Sequence, residues 1–281
     1  MENQNFPVIP SERADDLHHS EIADEADLVL FMAGNQFMVM KEIVSVFKKE
    51  YPEIAKIFYE TLPPGLELKQ ILAGGAIFRK KIIDVQADIY SSVNEKAMRT
   101  LEKAGQIEKD DYRLYLHNRL TLMVQKNNPA GITSVVDLGR DSIRVSQPDP
   151  DNEDIAYHIM DMYRQAGGDE LVYQIMEKKR VQGTTLFTVV HHRETPLRIL
   201  KQTVDVGPVW STEAVYAKDS GLSIDVVEPG EDLDQRNRIN YYICKLTKAP
   251  HPENADKFID FITSSAAGNI YRKYGFMAHK E

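Results

Sequence analysis

The sequence predicts an α/β fold divided into two lobes, and three observations support this prediction. The chain has 281 residues, which reaches the length of roughly 250–300 residues at which single cores stop growing. Continuous apolar runs such as Leu28–Met32 are typical of parallel strands that are buried on both faces. Amphipathic helical segments follow these runs at short spacing, and this alternation indicates a largely parallel sheet.

The first set of elements starts at the Leu28–Met32 strand, which ends at a Gly-Asn turn. A helix is predicted over Phe37–Glu50 because Val39, Ile43 and Phe47 fall on one face of a 3.6-residue period. The other elements predicted in this set are strands at 56–59 and 87–90 and helices at 66–72 and 95–103.

A second set of elements lies between two long predicted strands at 119–125 and 241–246. We expect its main helix to start after an Asp151 or Asn152 cap, to run to Gln165 and to stop at Gly167-Gly168. The other elements predicted here are strands at 143–146, 185–191, 204–210 and 223–227 and a short helix at 196–202, and an amphipathic helix at about 254–275 follows the set.

These two sets define the expected domain organisation. Residues 27–118 and 241–281 form lobe I, and residues 119–240 form lobe II. Residues 1–26 are polar and acidic without a sustained period, so we expect a flexible N-terminal arm there. In open α/β sheets ligands bind outside the carboxyl ends of the strands, and each strand-to-helix turn is therefore a candidate ligand loop.

The bulk composition restricts the classes of function. The formal net charge of −9 argues against a nucleic acid or an anionic membrane surface as a partner, because both require clustered Lys and Arg. Cys244 is the single cysteine, which excludes a disulfide framework and a Cys-based zinc site. No apolar window approaches the roughly 18 residues of a membrane span, and residues 1–5 lack a secretory signal pattern. We therefore expect either a cytoplasmic protein or a chain whose signal has been removed.

The sequence also lacks the patterns that are typical of enzymes. No trio of nucleophile, base and orienting residue is visible, and Ala73-Gly74-Gly75-Ala76 lacks the spacing and the Lys-Ser/Thr of a phosphate-binding loop. We expect no catalytic residues, no cofactor and no metal.

The first lobe offers candidate ligand residues after its first two strands. Gly34 permits close backbone approach, and Asn35 and Gln36 could donate their side-chain amides to a ligand. Turn chemistry explains the same three residues equally well. In the loop after the second strand, Gly65 could offer a backbone amide.

The stretch HHRETPLRIL is the most informative candidate for an anion site in the second lobe. Thr195 is placed to cap a helix, and Pro196 suits the first helical position. Helix N-termini hold anions through unpaired N–H groups and partial positive charge. Arg193 is the preferred single ligand residue, because a guanidinium fits an oxyanion and stays charged, and His192 is a neighbouring donor. A surface strand end with Arg193 paired to Glu194 is the alternative.

An acidic loop precedes the main helix of the second set and contains Asn152, Glu153 and Asp154. Helix capping and exposure to solvent explain these residues. If they face the ligand instead, the ligand must carry a cationic part or a metal centre that accepts carboxylate oxygen. Trp210, at the end of a predicted strand, either walls the ligand or belongs to the core.

Several stretches, taken in order along the chain, resemble the periplasmic substrate-binding proteins of ABC importers, specifically the molybdate and tungstate binders. They are LVLFMAGNQFMVMKEIVSVFKKEYPE, GLELKQILAG, ADIYSSVNEKAMRTLEKAGQI and KFIDFITSSAAGNIYRKYGF, and the likeness covers residues 28–276. The stretch VVHHRETPLRILKQTVDVGPVW resembles the archaeal tungstate-binding type, in which a basic residue and Glu-Thr precede a helix. The resemblance implies a two-lobed type II periplasmic-binding-protein fold with a hinged interlobe cleft.

Some positions depart from the pattern of that family. Many molybdate binders have Ser in the first loop, where this chain has Gly-Asn-Gln, and a Ser-rich second loop, where it has Leu-Pro-Pro-Gly. The bacterial type has Tyr at the position of Trp210. Archaeal tungstate binders place two carboxylates in the coordination sphere of the metal. One of them aligns near Glu153 or Asp154, and the position of the other is Val209.

The resemblance implies an extracytoplasmic, monomeric solute-binding protein. It would capture a small anion, a molybdate- or tungstate-like oxyanion, and deliver it to an ABC permease in the membrane. One alternative keeps this transport role with a small organic acid or a metal complex as the ligand. A different class of function, a cytoplasmic ligand-sensing domain of the same fold, is the second alternative.

Overall fold

The structure is a computed structural model that describes residues 6–151, 153–189 and 194–279. Contacts divide the chain into two compact units. Unit 1 comprises Met1–His117 and Asn240–Glu281, and unit 2 comprises Asn118–Ile239. The chain therefore leaves unit 1 after His117 and returns to it at Asn240.

Strands and helices alternate along most of the chain. The strands are β1 (Val8–Ile9), β2 (Leu17–His18), β3 (Leu28–Phe31), β4 (Ile57–Glu60), β5 (Ala76–Phe78), β6 (Lys81–Ile83), β7 (Ile89–Ser92), β8 (Arg113–His117), β9 (Leu120–Gln125), β10 (Val145–Gln147), β11 (Thr185–Phe187), β12 (Val206–Trp210), β13 (Ile224–Val227), β14 (Asn240–Lys245) and β15 (Met277–Ala278). The α-helices are α1 (Phe37–Glu50), α2 (Pro64–Ala73), α3 (Glu95–Lys103), α4 (Ile155–Tyr173), α5 (Lys179–Val181), α6 (Glu194–Leu200), α7 (Ser211–Asp219), α8 (Pro252–Ile262) and α9 (Ser265–Lys273).

The larger sheet of unit 1 has the strand order β15-β8-β14-β7-β3-β4-β2. Strand β3 pairs in parallel with β4 and β7, whereas β14 runs antiparallel to β7 and β8. All of β3, Leu28–Phe31, is buried, as a continuous apolar run predicts. Helix α1 has the predicted bounds and buries Val39, Ile43 and Phe47, which the helical period places on one face.

Unit 2 is built on a five-stranded sheet with the order β11-β10-β12-β9-β13. Strand β10 pairs in parallel with β11 and β12, whereas β9 runs antiparallel to β12 and β13. The packing core beside this sheet consists of apolar residues from both the strands and the flanking helices. Its buried members are Met123, Ile199, Val204, Val209, Ala214, Ala217 and Ile224.

The N-terminal segment differs from the expected flexible arm over residues 6–26. Strand β1 pairs in parallel with β5, and β2 pairs antiparallel with β4. Ile9 and Leu17 are buried in a small apolar cluster, and Arg13 forms a buried ion pair with Asp16 at 3.2 Å. The polar composition of the segment gives no indication of these contacts. Residues 6–26 pack onto the rest of unit 1.

The Gly167-Gly168 pair interrupts α4 where the sequence predicts a stop, because both residues have non-helical dihedral angles, and a second helical segment follows directly across the kink. Helix α4 continues to Tyr173, and Gly168 adopts the left-handed region with φ of 71°. At Gly167 a Cβ atom would lie 2.8 Å from the Cβ of Leu171. The buried Leu171 side chain packs back onto the kink, which explains why the helix resumes after it.

Several other elements differ in extent from the prediction. The expected C-terminal helix is two helices, because Ser264 starts α9 by accepting a hydrogen bond from the N–H of Ala267 at 3.3 Å. Strand β11 ends at Phe187 rather than at residue 191, and helix α6 begins at Glu194 rather than at Pro196.

Candidate functional site

Three parallel strands of unit 1 end at the same edge of its sheet. Strands β3, β4 and β7 end there, and β14 begins there because Tyr242 pairs with Ser92. Ligands of open α/β sheets bind outside such carboxyl ends. We define the unit 1 edge as residues 34–36, 61–65, 91–92 and Tyr241.

Asn35 is the best-placed ligand donor of the unit 1 edge. It lies in a 3-10 turn before α1 and is 4 % exposed. Its Nδ2 donates to the hydroxyl of Tyr241, whereas its Oδ1 is buried and has no hydrogen-bond partner among the described residues. Leaving a buried polar atom unsatisfied costs about 1–3 kcal/mol. A half-turn of the amide would let Tyr241 donate to Oδ1 and leave Nδ2 to donate to a ligand.

Gln36, in contrast, uses its side-chain amide inside unit 1. Its Nε2 donates to Ser91 Oγ at 3.1 Å, and its Oε1 accepts hydrogen bonds from Tyr115 at 3.1 Å and Tyr271 at 2.6 Å. Burial raises the pKa of Tyr115 to about 12 and the pKa of Tyr271 well above its ordinary value. Both phenols therefore remain protonated donors. Gln36 thus links the loop that carries Asn35 to Ser91, Tyr115 and Tyr271.

The two glycines of this edge have different roles. A Cβ atom on Gly34 would lie 3.0 Å from the carbonyl oxygens of both Thr61 and Leu62, so Gly34 allows the loops after β3 and β4 to approach closely. Gly65 is exposed in the first turn of α2. The N–H groups of a first turn have no intrahelical acceptor, and the N–H of Gly65 can therefore serve a ligand.

Two buried carboxyl groups support the loop after β4. Glu67 accepts a hydrogen bond from the N–H of Leu62 at 3.1 Å, and Glu60 accepts one from Gln70 Nε2 at 3.2 Å. Burial raises the pKa of Glu60 to about 8. Burial, together with the neighbouring Glu60 carboxyl, raises the pKa of Glu67 well above its ordinary value. Glu60 is therefore mainly neutral at pH 7.

The parallel strands of unit 2 also end together. Strands β10, β11 and β12 end at Gln147, Phe187 and Trp210, and Glu153 and Asp154 lie between β10 and α4. We define the unit 2 edge as residues 147–151, Glu153, Asp154, Thr188 and Trp210.

Glu153 carries a buried carboxylate at the unit 2 edge. It is 6 % exposed and accepts a hydrogen bond from the Thr188 hydroxyl, whose oxygen accepts another from the N–H of Asp149 at 3.1 Å. Thr188 thus joins the loops after β10 and β11. Asp154 stands at the cap position of α4 without a side-chain cap bond, and Asn152 lies outside the described residues.

Thr195 does not cap a helix, contrary to the prediction. Helix α6 begins at Glu194, so Thr195 lies within the first turn, where it is fully buried and its Oγ1 hydrogen-bonds to Ser146 Oγ at 2.9 Å. A Cβ atom on Gly207 would collide with Cγ2 of Thr195. The earlier helix start turns the threonine toward the sheet, and its role is to pack against β10 and β12.

His192 and Arg193 lie outside the described residues. Val189 and Glu194, which are described on either side of them, are held by side-chain contacts. Glu194 accepts from the N–H of Val189 at 2.8 Å and pairs with Arg198 at 2.7 Å. Arg198 also donates to the last two carbonyl groups of β11 at 2.8 and 2.9 Å. The Glu194–Arg198 pair therefore connects the end of β11 to the start of α6.

Trp210 is part of the interior of unit 2. It is 3 % exposed, pairs with Leu120 in the sheet, and lies with its ring centroid 6.0 Å from that of His158. Burial lowers the pKa of His158, which favours a neutral imidazole beside the indole. The contacts match the packing alternative for Trp210.

Sequence reasoning overlooked polar residues that support the two edges. Ser91 and Ser92 end a buried strand, and Thr188 directly follows β11. A polar residue at the carboxyl end of a strand is the signal that could have identified all three. Arg198 gives no such signal, because its contacts with β11 depend on how α6 packs.

The polar groups of the edges differ from a metal centre. Within residues 6–151, 153–189 and 194–279, no group of three or more His, Cys, Asp and Glu side chains is arranged to hold a metal ion. In the same part of the chain, no helix is both long and apolar enough to cross a bilayer.

The two sheets and their loop edges define an α/β protein. Residues 28–277 match the family described as bacterial extracellular solute-binding protein. The chain belongs to this family. The family consists of transporter substrate-binding proteins and is not an enzyme class.

Individual relatives agree with this assignment. YvgL of Bacillus subtilis, provisionally named an ABC transporter substrate-binding lipoprotein, is 23% identical over 206 residues, which cover 73% of each protein. The sulfate-binding protein SubI of Mycobacterium tuberculosis is similar in structure, with a TM-score of 0.69 and 17% identity, over 89% of this chain and 85% of SubI. The periplasmic molybdate-binding protein of Azotobacter vinelandii has a TM-score of 0.68 and 14% identity, over 90% of this chain and 100% of that protein.

These likenesses confirm the predicted fold class, an α/β protein of the type II periplasmic-binding kind. The family and its lipoprotein relative show a substrate-binding protein of the ABC transporter type. The structural relatives bind different solutes, so the similarity describes the fold and not the ligand.

Proposed function

We propose that this protein captures a molybdate- or tungstate-like oxyanion outside the cytoplasm and delivers it to an ABC permease. The observation that carries the proposal is the buried carboxamide of Asn35, which has unused hydrogen-bonding capacity at the carboxyl ends of parallel strands. Tyr241 fixes this amide, and the fold class places ligands at such edges.

An oxyanion requires hydrogen-bond donors, and the unit 1 edge offers neutral ones. The Nδ2 of Asn35 and the N–H of Gly65 are the donors proposed there. Arg193 is the proposed positive charge, because a guanidinium remains charged and binds oxyanions in a fork. Closing two lobes over the ligand would combine these donors and couple binding to recognition by the permease.

A second class of ligand is favoured by one specific feature of unit 2. The buried Glu153 carboxylate would repel a bare dianion, but it would stabilise a metal complex or a ligand with a cationic group. The same transport role with such a ligand is therefore the alternative.

Thermal unfolding in the presence of candidate ligands tests the proposal. The panel contains molybdate, tungstate, sulfate, phosphate, small carboxylates and Fe(III) citrate. A ligand that binds only the folded protein raises Tm in a concentration-dependent manner. We expect molybdate or tungstate to raise Tm, and Asn35→Ala to remove the rise. If Tm rises only with a carboxylate or with Fe(III) citrate, the ligand belongs to the alternative class and is not an oxyanion.

A further inference from the structure

Two histidines of unit 1 form a contact pair away from the unit 1 edge. His117 is the last residue of β8, and His279 directly follows β15. Nε2 of His117 lies 2.8 Å from Nδ1 of His279, and the ring centroids are 5.0 Å apart. Because Met277 pairs with His117 and side chains alternate across a strand, the two imidazoles lie on one face as diagonal neighbours.

Asn240 fixes the orientation of the first ring. Its Oδ1 lies 2.7 Å from Nδ1 of His117, and it stands opposite His117 in the pairing of β14 with β8. An amide oxygen only accepts hydrogen bonds, so Nδ1 of His117 carries the proton and Nε2 presents its lone pair to His279. Metal-binding histidines are oriented in the same way by a carbonyl or carboxylate partner.

We propose that His117 and His279 bind a divalent transition-metal ion of the class that prefers imidazole, such as Zn²⁺, Ni²⁺ or Cu²⁺. The ion replaces the hydrogen bond between the two rings, and His279 binds it through Nδ1 as the tautomer that carries its proton on Nε2. Zinc–nitrogen bonds of about 2.0–2.1 Å in tetrahedral geometry separate two ligand nitrogens by about 3.3 Å. The observed 2.8 Å between the nitrogens then needs to open by only about 0.5 Å.

The geometry also sets the strength of the site. The described residues supply two imidazoles and not the three or more protein ligands of a closed site, so water completes the coordination sphere and the ion exchanges. Binding weakens as the pH falls, because protons compete with the ion for the ring nitrogens. Since the chain leaves unit 1 directly after His117, the ion joins this exit strand to β15.

Isothermal titration calorimetry of the full chain with ZnCl₂ tests the site at pH 7.5. We expect saturable binding of one ion at this site. His279→Asn should weaken binding at least tenfold, and Asn240→Ala should weaken it about tenfold through loss of ring orientation. Circular dichroism verifies that each variant is folded.

Three control variants separate this pair from other binding modes. His19→Asn removes an exposed histidine, His192→Asn removes one of a sequence-adjacent pair, and Glu153→Gln changes the proposed transport site. All three should retain the affinity of the parent protein. Absence of saturable binding with Zn²⁺, Ni²⁺ and Cu²⁺, or equal affinity in His279→Asn and the parent protein, would overturn the proposal without affecting the proposed transport function.

Discussion

Asn35 and Tyr241 are joined by a hydrogen bond across 206 residues of sequence. The bond connects the first loop of unit 1 to the second residue of the segment that returns from unit 2. It leaves the Oδ1 of Asn35 buried without a described partner. The Asn35 amide is therefore held in place by Tyr241 and still has unused hydrogen-bonding capacity. Removing the bond between the two residues should reduce ligand affinity more than it reduces the stability of the fold.

Tyr241→Phe should weaken binding of the cognate oxyanion about fivefold to thirtyfold. The substitution removes the partner that orients Asn35, a loss of about 1–2 kcal/mol. Calorimetric titration of the variant measures the change. Tyr242→Phe is the matched control, because Tyr242 neighbours Tyr241 but packs against Tyr112. Equal losses in both variants would contradict a specific role for the Asn35–Tyr241 bond.

Glu153→Gln should distinguish the two ligand classes. If the ligand is an oxyanion, replacing this buried carboxyl group by a neutral amide raises the affinity, because a group that can carry a like charge is eliminated. The amide retains an oxygen that can accept from Thr188. A loss of affinity, with the exposed control Asp151→Asn unchanged, would instead indicate a ligand with a cationic or metal centre.

Glu60→Gln should flatten the pH dependence of stability. The pKa of Glu60 is raised to about 8 by burial, so the folded state binds its proton more tightly than the unfolded state. The stabilisation is complete below the ordinary pKa of the group and is lost as pH rises through about 8. Between pH 5.5 and 7.5 the free energy of unfolding of the parent protein should fall as the pH rises. In the variant this fall should be smaller by about 1 kcal/mol per pH unit.

Urea unfolding at several pH values measures this effect. The amide oxygen that Glu60→Gln introduces can still accept a hydrogen bond from Gln70, which preserves the packing. The exposed Glu108→Gln serves as the control and should leave the slope unchanged. An identical pH slope in Glu60→Gln and the parent protein would show that Glu60 ionises normally in the folded state.

Gly207→Ala should destabilise unit 2 by about 1–3 kcal/mol, as expected for overpacking. The new Cβ would collide with Cγ2 of Thr195 and lie 3.0 Å from the carbonyl oxygen of Ser146. Adding Thr195→Ser removes the methyl group but keeps the hydroxyl, so it should recover part of the loss. Urea unfolding measures both variants. Gly65→Ala is the control, because nothing lies within 4 Å of its added Cβ.

Periodic apolar patterns predicted the fold more accurately than the site. Helix α1 has its predicted bounds, and the Leu28–Met32 run forms a buried strand, because these patterns depend on local sequence. The Gly167-Gly168 pair is non-helical, as the predicted stop requires. The helical segment that follows directly was not predicted, and the packing of Leu171 onto the kink is a tertiary contact that no local pattern indicates.

The candidate site depends more strongly on long-range contacts. Asn35 was identified from its loop, but its bond to Tyr241 unites distant segments and no local pattern indicates it. Thr195 was expected at a helix cap, but the helix starts at Glu194, two residues before the predicted start, and Thr195 is buried against Ser146. Residue type and loop position could be read from the sequence, whereas the direction of each side chain depends on strand pairing and helix packing.

Calorimetric titration of the full chain with tungstate, molybdate and sulfate, compared with Asn35→Ala, tests the central claim most directly. The account predicts one-to-one binding of tungstate or molybdate, weaker or no binding of sulfate, and a loss of at least about tenfold in affinity in the variant, since a buried charge-assisted donor contributes about 1.5–3 kcal/mol. Binding of either oxyanion with equal affinity in the variant and the parent protein, or no binding of any of the three, would contradict it.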